Sequence, residues 1–341
     1  MKKKTIIIAE AGVNHNGKIS MAKKLIDVAV EAGVDYIKFQ TFKAETLVSK
    51  NASKASYQIS NSNKKNETQF EMLKKLEISE KDHFTLFEYC NSKNIKFLST
   101  AFDPEGLEFL NSLGIDLMKI PSGEITNLPY LNKISSFGKP IILSTGMASL
   151  LEIHDALEVL IGNSISLNDI TILHCNTAYP TPMKDVNLLA MLSIRDKFNV
   201  KVGYSDHTMG IEVPIASVAL GAEVIEKHIT LNKNLSGPDH KASLDPDELK
   251  EMVRCIRNID EACSGSGIKG VSPSEILNKI HSRKSIHLKR NLKKGEMLEE
   301  SNLIMLRPGN GISPMDSTTV IGKISKKNIS AYSQININDF N

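Results

Sequence analysis

Eight short apolar segments recur between residues 5 and 228, and the stretches between them have helical spacing. Near-continuous apolar runs are typical of parallel strands that are buried on both faces. The eight segments are TIIIAE (5–10), YIKFQ (36–40), KFLST (96–100), LMKIPS (117–122), PIILST (140–145), ITILHC (170–175), KVGYSD (201–206) and EVIEKH (223–228). Eight strand–helix units in about 260 residues predict an α/β fold, a (β/α)8 TIM barrel. An open doubly wound sheet is the alternative, but AEAGVNHNG after the first segment lacks the glycine spacing of a dinucleotide-binding turn.

The barrel pattern is interrupted once and then ends. Residues 43–79 are long and polar before they become helical, which is typical of a lid or rim element. The sequence SGSGIKGVSPSE (264–275) is rich in Ser, Gly and Pro and predicts a linker. Short β-like runs separated by turn sequences follow it. We therefore expect a barrel at 1–263, a linker at 264–280 and a small β-rich domain at 281–341.

Composition argues against several classes of partner. The chain has 42 Lys and Arg residues against 39 Asp and Glu, and this net charge of +3 is too small to indicate nucleic acid or an acidic membrane surface. No stretch approaches the roughly 18 apolar residues of a membrane span. The four cysteines are scattered, without zinc spacing or a disulfide-rich pattern. We expect a cytoplasmic protein with no nucleic-acid or membrane partner.

Polar side chains gather at the predicted carboxyl ends of the strands, where TIM barrels carry their chemistry. Unpaired buried charges are very costly, so the lysines and glutamates among them indicate a charged ligand. Lysines and hydroxyls together suit a phosphate or a carboxylate. The candidate residues are Glu10, Lys38, Gln40, Thr100, Lys119, Ser122, Glu124, Ser144, Asn176, Tyr179, Ser205, His207, Glu226 and His228.

Two of these candidates are histidines at the ends of consecutive predicted strands. A single histidine in such a position more often caps a loop than binds metal. His207 and His228 are 21 positions apart, so adjacent strand ends would bring them to one ion. Two neutral imidazoles with open positions left for water or substrate oxygen form a catalytic type of site for Mn²⁺, Fe²⁺, Co²⁺ or Zn²⁺.

Ten ordered motifs together resemble the sialic acid synthase family over nearly the whole chain. Members of that family condense phosphoenolpyruvate with an N-acetylated hexosamine. The tail resembles the SAF (antifreeze-like) domain of those enzymes. The motifs are AEAGVNHNG, IKFQTFKAETL, FLSTAFD, KIPSGEITNLPYL, IILSTGM, LHCNTAYPTP, GYSDHT, VIEKHITL, SGPDHKAS and RPGNGISPM.

The resemblance implies a role for each matching position. His207 and His228 would bind a divalent metal, usually Mn²⁺, with Mg²⁺ or Co²⁺ as alternatives. Glu10 and Glu226 would lie at the reacting centre, and these two residues together with Tyr179 would be the catalytic residues. The positions that match the phosphoenolpyruvate site are Lys38, Lys119, Ser122, Ser144 and Ser205, and those that match sugar-side or intermediate-side groups are Tyr179, Asp239 and Glu124. Gln40 and Thr100 are further candidates for substrate binding.

Two positions need separate comment. Several relatives read Thr-Asn after the cysteine of the sixth strand, whereas this chain reads Asn176-Thr177, which weakens the match of Asn176 to a sugar-site residue. Arg307 in RPGNG matches an arginine that the SAF domain inserts into the partner subunit, where it contacts the acetamido group of the sugar. This match implies a domain-swapped homodimer. Without the resemblance, Arg307 reads as an ordinary turn arginine.

The motifs leave the sugar open. N-acetylmannosamine, which gives N-acetylneuraminate, is the first interpretation, and 2,4-diacetamido-2,4,6-trideoxymannose, which gives N,N'-diacetyllegionaminate, is the alternative. A pseudaminate synthase fits less well, because that branch tends to replace the GPDH stretch. Two other classes are an aldolase that uses Lys119 as a Schiff base, and a glycan-binding or ice-binding tail on a degenerate barrel.

Overall fold

The protein has two compact units, Met1–Gly265 and Ser266–Asn341. The structure, a computed structural model, describes residues 4–62 and 66–341. Within that part of the chain, none of the helices combines the length and apolar character that crossing a bilayer requires.

Eight parallel strands form the sheet of the first unit, in the order β3-β2-β1-β8-β7-β6-β5-β4. The two ends of this order are consecutive strands in the chain, so the sheet is a nearly closed barrel, and the predicted (β/α)8 fold is confirmed. The strands are β1 (Ile6–Gly12), β2 (Tyr36–Thr41), β3 (Lys96–Ala101), β4 (Met118–Ile120), β5 (Ile141–Ser144), β6 (Ile170–Cys175), β7 (Lys201–Asp206) and β8 (Val224–His228).

Helices connect the strands and cover the sheet. Helix α1 (Ile19–Ala32) ends at Gly33, because this glycine adopts the left-handed conformation with φ 76°. The helices are α1 (Ile19–Ala32), α2 (Ala44–Leu47), α3 (Ser56–Ser62), α4 (Gln69–Lys74), α5 (Glu80–Ser92), α6 (Pro104–Ser112), α7 (Leu128–Ser135), α8 (Leu150–Gly162), α9 (Ala190–Phe198), α10 (Glu212–Ala219), α11 (Pro246–Ala262) and α12 (Ile276–Ser282).

The segment predicted as a lid or rim element contains α2, α3 and α4 and follows the carboxyl end of β2. Helix α4 begins at a capping box in which Thr68 and Glu71 each accept a hydrogen bond from the other's backbone N–H. Residues 63–65 of the segment lie outside the described residues. Because the segment leaves the barrel where β2 ends, it lies on the face that carries the polar strand ends.

The second unit is a small antiparallel structure. Strand β9 (Ser285–Leu288) pairs with β10 (Leu303–Leu306), and isolated bridges such as Leu292 with Ile329 extend the pairing. The last residues of the predicted linker, 264–280, are helical in the structure, because α12 begins at Ile276. A capping box between Ser272 and Glu275, with Pro273 at the first helical position, explains why a Ser- and Pro-rich stretch starts a helix.

A buried ion pair joins β7 to β8 on the outer face of the barrel. Lys227 Nζ lies 2.5 Å from Asp206 Oδ2, and neither side chain is accessible to solvent. Asp206 also accepts hydrogen bonds from the N–H and the hydroxyl of Thr208. Because side chains alternate along a strand, this outward pair leaves the neighbouring residues Ser205 and Glu226 on the inner face.

The free energy of unfolding should fall by about 3–5 kcal/mol in Lys227→Met, because Asp206 keeps a buried charge without its partner. Lys250→Met removes a cation from an exposed pair with Glu31 and should cost less than about 1 kcal/mol. Chemical denaturation followed by circular dichroism measures both. Equal, small losses in the two variants would contradict the stabilising role of the buried pair.

Candidate active site

A cavity of about 610 Å³ opens at the carboxyl ends of the barrel strands. Its lining includes most of the side chains that the sequence singled out, so the structure brings them to one place. The predicted residues that line it are Glu10, Lys38, Gln40, Thr100, Lys119, Ser122, Ser144, Tyr179, Ser205, His207, Glu226, His228 and Asp239.

Two lysines and two glutamates form a buried charge cluster at the floor of this cavity. Lys38 Nζ lies 2.8 Å from Glu10 Oε2 and 3.5 Å from Glu226 Oε1, and Lys119 Nζ lies 3.8 Å from Glu226 Oε2. The four charges therefore compensate one another in the structure, and the predicted charged ligand stays a prediction. What remains is a set of polar groups aimed into a cavity.

Burial and charge pairing shift the pKa values of these four groups in different directions. Burial raises the pKa of Glu10 to about 7, although Lys38 opposes this shift. Burial also acts to raise the pKa of Glu226, but Lys119 and Lys38 outweigh it and lower that pKa. Burial lowers the pKa of Lys119, whereas the pKa of Lys38 is raised because Glu10 and Glu226 outweigh its burial. Lys38 is thus held as a cation between two carboxyl groups.

Hydroxyl and backbone groups surround the two ammonium groups. Lys119 Nζ donates to Ser144 Oγ at 2.7 Å, and Lys38 Nζ donates to Thr100 Oγ1 at 3.1 Å. Ser122 Oγ accepts from the N–H of Gly146 at 2.9 Å, and a Cβ added at Gly146 would lie only 2.9 Å from that oxygen. Ammonium groups beside hydroxyls can bind an anionic substrate through charge-assisted hydrogen bonds.

The rings of His207 and His228 lie beside each other at the ends of β7 and β8, with centroids 5.5 Å apart and planes inclined by 62°. His207 Nδ1 donates to the carbonyl oxygen of Asn176, which orients the ring and leaves Nε2 as the available ligand atom. His228 Nδ1 is buried and has no hydrogen-bond partner within the part of the chain that the structure describes. Burial lowers the pKa of His207 to about 4 and that of His228 well below its ordinary value, so both rings are neutral.

This donor set fits a divalent metal. An unpartnered buried imidazole nitrogen next to an oriented neutral imidazole is the state in which histidine binds metal. Among the described residues there is no cluster of three or more His, Cys, Asp or Glu side chains placed to hold an ion. Asp239 Oδ2 lies 4.0 Å from His228 Nδ1. An ion here would need oxygen ligands from water or substrate in addition to the histidines.

An aromatic stack forms one side of the cavity beside the histidines. Tyr179 stacks on His207 at 4.1 Å, and Tyr57 of α3 stacks on Tyr179 at 5.0 Å. Asn61, also in α3, donates to the backbone carbonyl of Pro238 at 2.7 Å. Asp239 follows in the same loop, and burial raises its pKa to about 7. The inserted segment therefore contacts Tyr179 and the loop that carries Asp239, two residues that were predicted for the sugar side.

Three predicted residues are not in the lining of this cavity, and their roles stay predictions. Glu124 lies in the turn after β4, where its carboxylate accepts a hydrogen bond from the side chain of Asn127. The side-chain oxygen of Asn176 accepts a hydrogen bond from the N–H of Ala178. Arg307 lies in the second unit, is exposed, and donates from Nε to the carbonyl of Ser282.

Sequence reasoning missed several lining residues. Thr177, rather than its neighbour Asn176, reaches the cavity, and Cys175 lines it from the end of β6. Several relatives read Thr-Asn at these two positions, and the reversed order in this chain is the sequence signal that could have indicated Thr177. Tyr57 and the apolar side chains of the inserted segment carried no signal, because the contact of that segment with the barrel mouth depends on tertiary structure.

Comparison with known proteins identifies the family. The sequence profile described as the NeuB family matches residues 25–269, and that of the SAF domain matches residues 283–341. The chain belongs to the NeuB family. The predicted resemblance to sialic acid synthases with a C-terminal SAF domain is thereby confirmed.

Several relatives of this NeuB chain are named as legionaminic, pseudaminic or N-acetylneuraminic acid synthases. It is 54% identical over 326 residues to the N,N'-diacetyllegionaminic acid synthase of Campylobacter jejuni, with 96% of this chain and 97% of that protein covered. It is 50% identical over 328 residues to the synthase of that name from Legionella pneumophila, covering 95% and 91%. The solved N-acetylneuraminic acid synthetase of Leptospira borgpetersenii has a TM-score of 0.72 at 33% identity, covering 81% of this chain and 90% of that one.

Proposed function

We propose that this protein is an N,N'-diacetyllegionaminate synthase, which condenses phosphoenolpyruvate with 2,4-diacetamido-2,4,6-trideoxymannose and water and releases phosphate. The observation that carries the proposal is the 54% identity, over nearly the full length of both chains, to a protein of that name. The first interpretation from the sequence, N-acetylneuraminate synthase, gives way to its alternative. The cavity supports the reaction class through its paired lysines, carboxylates and histidines.

Phosphoenolpyruvate is assigned to the lysine side of the cavity. Two hydrogen-bonded pairs lie on this side. In one, the ammonium group of Lys119 donates to the hydroxyl of Ser144, and in the other that of Lys38 donates to the hydroxyl of Thr100. An ammonium group on the phosphate offsets the negative charge of the departing group. The cluster is preorganised, because each lysine is already held by a neighbouring side chain.

A divalent metal, Mn²⁺ in this proposal, would be held by His207 Nε2 and by His228. When bound, it supplies Lewis-acid polarisation of the sugar aldehyde, which can lower the barrier by several kcal/mol. The contribution of the chain itself is orientation. The Asn176 carbonyl fixes the His207 ring, and Tyr179 packs against it.

The carboxylates act where charge develops. The C3 carbon of phosphoenolpyruvate forms a bond to C1 of the open-chain sugar, and the aldehyde oxygen takes up a proton. Positive charge then appears at C2, where Glu10 and Glu226 stabilise it and orient a water molecule. The water oxygen bonds to C2 and loses both of its protons, one of which balances the proton taken up by the aldehyde oxygen while the other goes to the departing phosphate. The bond between C2 and the bridging oxygen breaks, and C2 becomes a ketone. Phosphate leaves with the bridging oxygen, so atoms and charges balance.

We also propose that the SAF domain of a partner subunit covers the cavity, and that the protein is a cytoplasmic homodimer. Large apolar side chains are exposed in the loops that follow β5, β6 and β7, where a solvated rim would be polar. They are Met147, Met183, Leu189 and Met209. A covering domain would bury these side chains and exclude bulk water from the reaction.

With saturating phosphoenolpyruvate and Mn²⁺, the trideoxy sugar should have a kcat/KM about 10-fold or more above that of N-acetylmannosamine, because the two sugars differ at C4 and C6. Phosphate release measured for the two sugars side by side tests this expectation. A preference for N-acetylmannosamine would restore the neuraminate interpretation.

His228→Ala should weaken Mn²⁺ binding and lower kcat by about 100-fold or more, because a metal ligand is lost. His174→Ala is the matched control, since His174 lies one residue before the end of β6 and its Nε2 donates to the carbonyls of Val186 and Asn187. Electron paramagnetic resonance of free Mn²⁺ measures affinity independently of turnover. Unchanged Mn²⁺ affinity in His228→Ala would remove this residue from the metal site.

Co-expression of Arg307→Ala chains with His228→Ala chains tests the domain-swapped cap. If Arg307 acts in the partner subunit, a mixed dimer has one competent site, and random pairing should restore about a quarter of wild-type activity. Each variant alone should be nearly inactive. No recovery in purified mixed dimers would show that Arg307 does not act across the interface.

A further inference from the structure

The wall of the active-site cavity is not polar throughout. Part of the lining is apolar, and the inserted segment contributes several of its residues. They include Leu47, Val48, Met72, Leu73 and Leu76. We call this surface the apolar wall.

The apolar wall is a packed structure rather than a loose loop. Met72 and Leu76 are buried with Val13 and Phe42 in a small core of their own, and Leu47 and Leu73 pack against it. Ion pairs hold α4 from its outer side, where Lys74 lies 2.9 Å from both Glu45 and Glu77. Side chains held in this way keep a defined shape toward the cavity.

The position of the wall relative to the chemistry follows from topology. The aldehyde carbon, C1, must lie at the floor, beside Glu10, Glu226 and the histidines. The inserted segment begins after the carboxyl end of β2, so it lies beyond the strand ends, toward the mouth. A sugar that is bound with C1 at the floor and extends toward the mouth on this side would bring C6 near the segment.

We propose that the apolar wall selects the sugar by receiving its C6 methyl group, so that a 6-deoxy sugar is accepted and a sugar with a C6 hydroxyl is disfavoured. This inference rests on the proposed function. N-acetylmannosamine carries a hydroxyl at C6, and that hydroxyl would lose its water without gaining a hydrogen bond from leucine, valine or methionine. A single small group in an apolar pocket changes kcat/KM by roughly 10- to 200-fold.

The segment also suits the C4 substituent of the proposed sugar. Gln69, at the start of α4, lines the same cavity with a partly exposed side-chain amide. An acetamido group has an amide and a methyl, which match a glutamine beside leucines. A C4 hydroxyl would not use the apolar part of this surface.

The test compares both sugars in wild type, Leu73→Asn and Ile161→Asn. Leu73 is half-buried on the wall, and asparagine keeps its approximate size while adding polar groups. Ile161 lies at the far end of α8, is 41% exposed and does not line the cavity. We expect the ratio of kcat/KM for the trideoxy sugar to that for N-acetylmannosamine to fall about 10-fold or more in Leu73→Asn. The KM for phosphoenolpyruvate should stay unchanged, and Ile161→Asn should keep the wild-type ratio.

The outcomes separate the two proposals. A wild-type preference for the trideoxy sugar with an unchanged ratio in Leu73→Asn overturns the role of the wall and leaves the proposed function standing. A wild-type preference for N-acetylmannosamine overturns both. If Leu73→Asn does not fold, as judged by circular dichroism, Val48→Thr replaces it, since threonine has the shape of valine and adds one hydroxyl. An unchanged ratio in that variant overturns the role of the wall equally.

Discussion

The pairing of Lys38 with two carboxyl groups is the interaction on which the site depends. Lys38 lies between Glu10 and Glu226 in the barrel, with almost no exposure to solvent. The strand registers that create this cluster also build the rest of the site, because Glu10 is opposite Lys38 on β2 and opposite His228 on β8. A shift of one residue would turn these side chains to the outer face. Charge pairing and strand register therefore support each other.

The fold and the polar floor of the site follow from the sequence to a large extent. The segments at 170–175 and 201–206 have the bounds of β6 and β7, because β-rich apolar runs between helical patterns have few other solutions. Strand β4 is shorter than predicted, since Pro121 begins a 3₁₀ turn after Ile120. The strand-end rule predicted twelve of the residues that line one cavity, because parallel strands end on one side of a barrel, whereas Asp239 was predicted from the family resemblance.

Sequence reasoning failed for features that depend on which side chains meet in three dimensions. It treated four charges separately, whereas their mutual compensation requires side chains from β1, β2, β4 and β8 to meet at a distance of 3 to 4 Å. It named Asn176 rather than Thr177 as a residue of the site, because both lie beyond the end of β6, where strand alternation no longer fixes the direction of a side chain. The inserted segment carried least information, because its polar start concealed the apolar residues that line the cavity.

The two parts of the cavity suggest a division of labour within the proposed function. Strand ends provide charged and metal-binding groups for the bond-forming chemistry, while the inserted segment provides a surface for the distant end of the sugar. Loops on a rigid scaffold can change without disturbing the groups at the strand ends. The segment is therefore the place where relatives with one chemistry can differ in their sugar.

The most direct test of this account follows one oxygen atom. Phosphoenolpyruvate labelled with ¹⁸O in the bridging position is incubated with the protein, Mn²⁺ and 2,4-diacetamido-2,4,6-trideoxymannose, and both products are weighed by mass spectrometry. The account predicts a nonulosonate that contains the three carbons of phosphoenolpyruvate and no label, with the label in the released phosphate. Released phosphate without the label would contradict it. Cleavage of the O–P bond to pyruvate, followed by a Lys119 Schiff base, would give that result, because imine formation expels the labelled oxygen as water. The absence of any condensed product would also contradict the account.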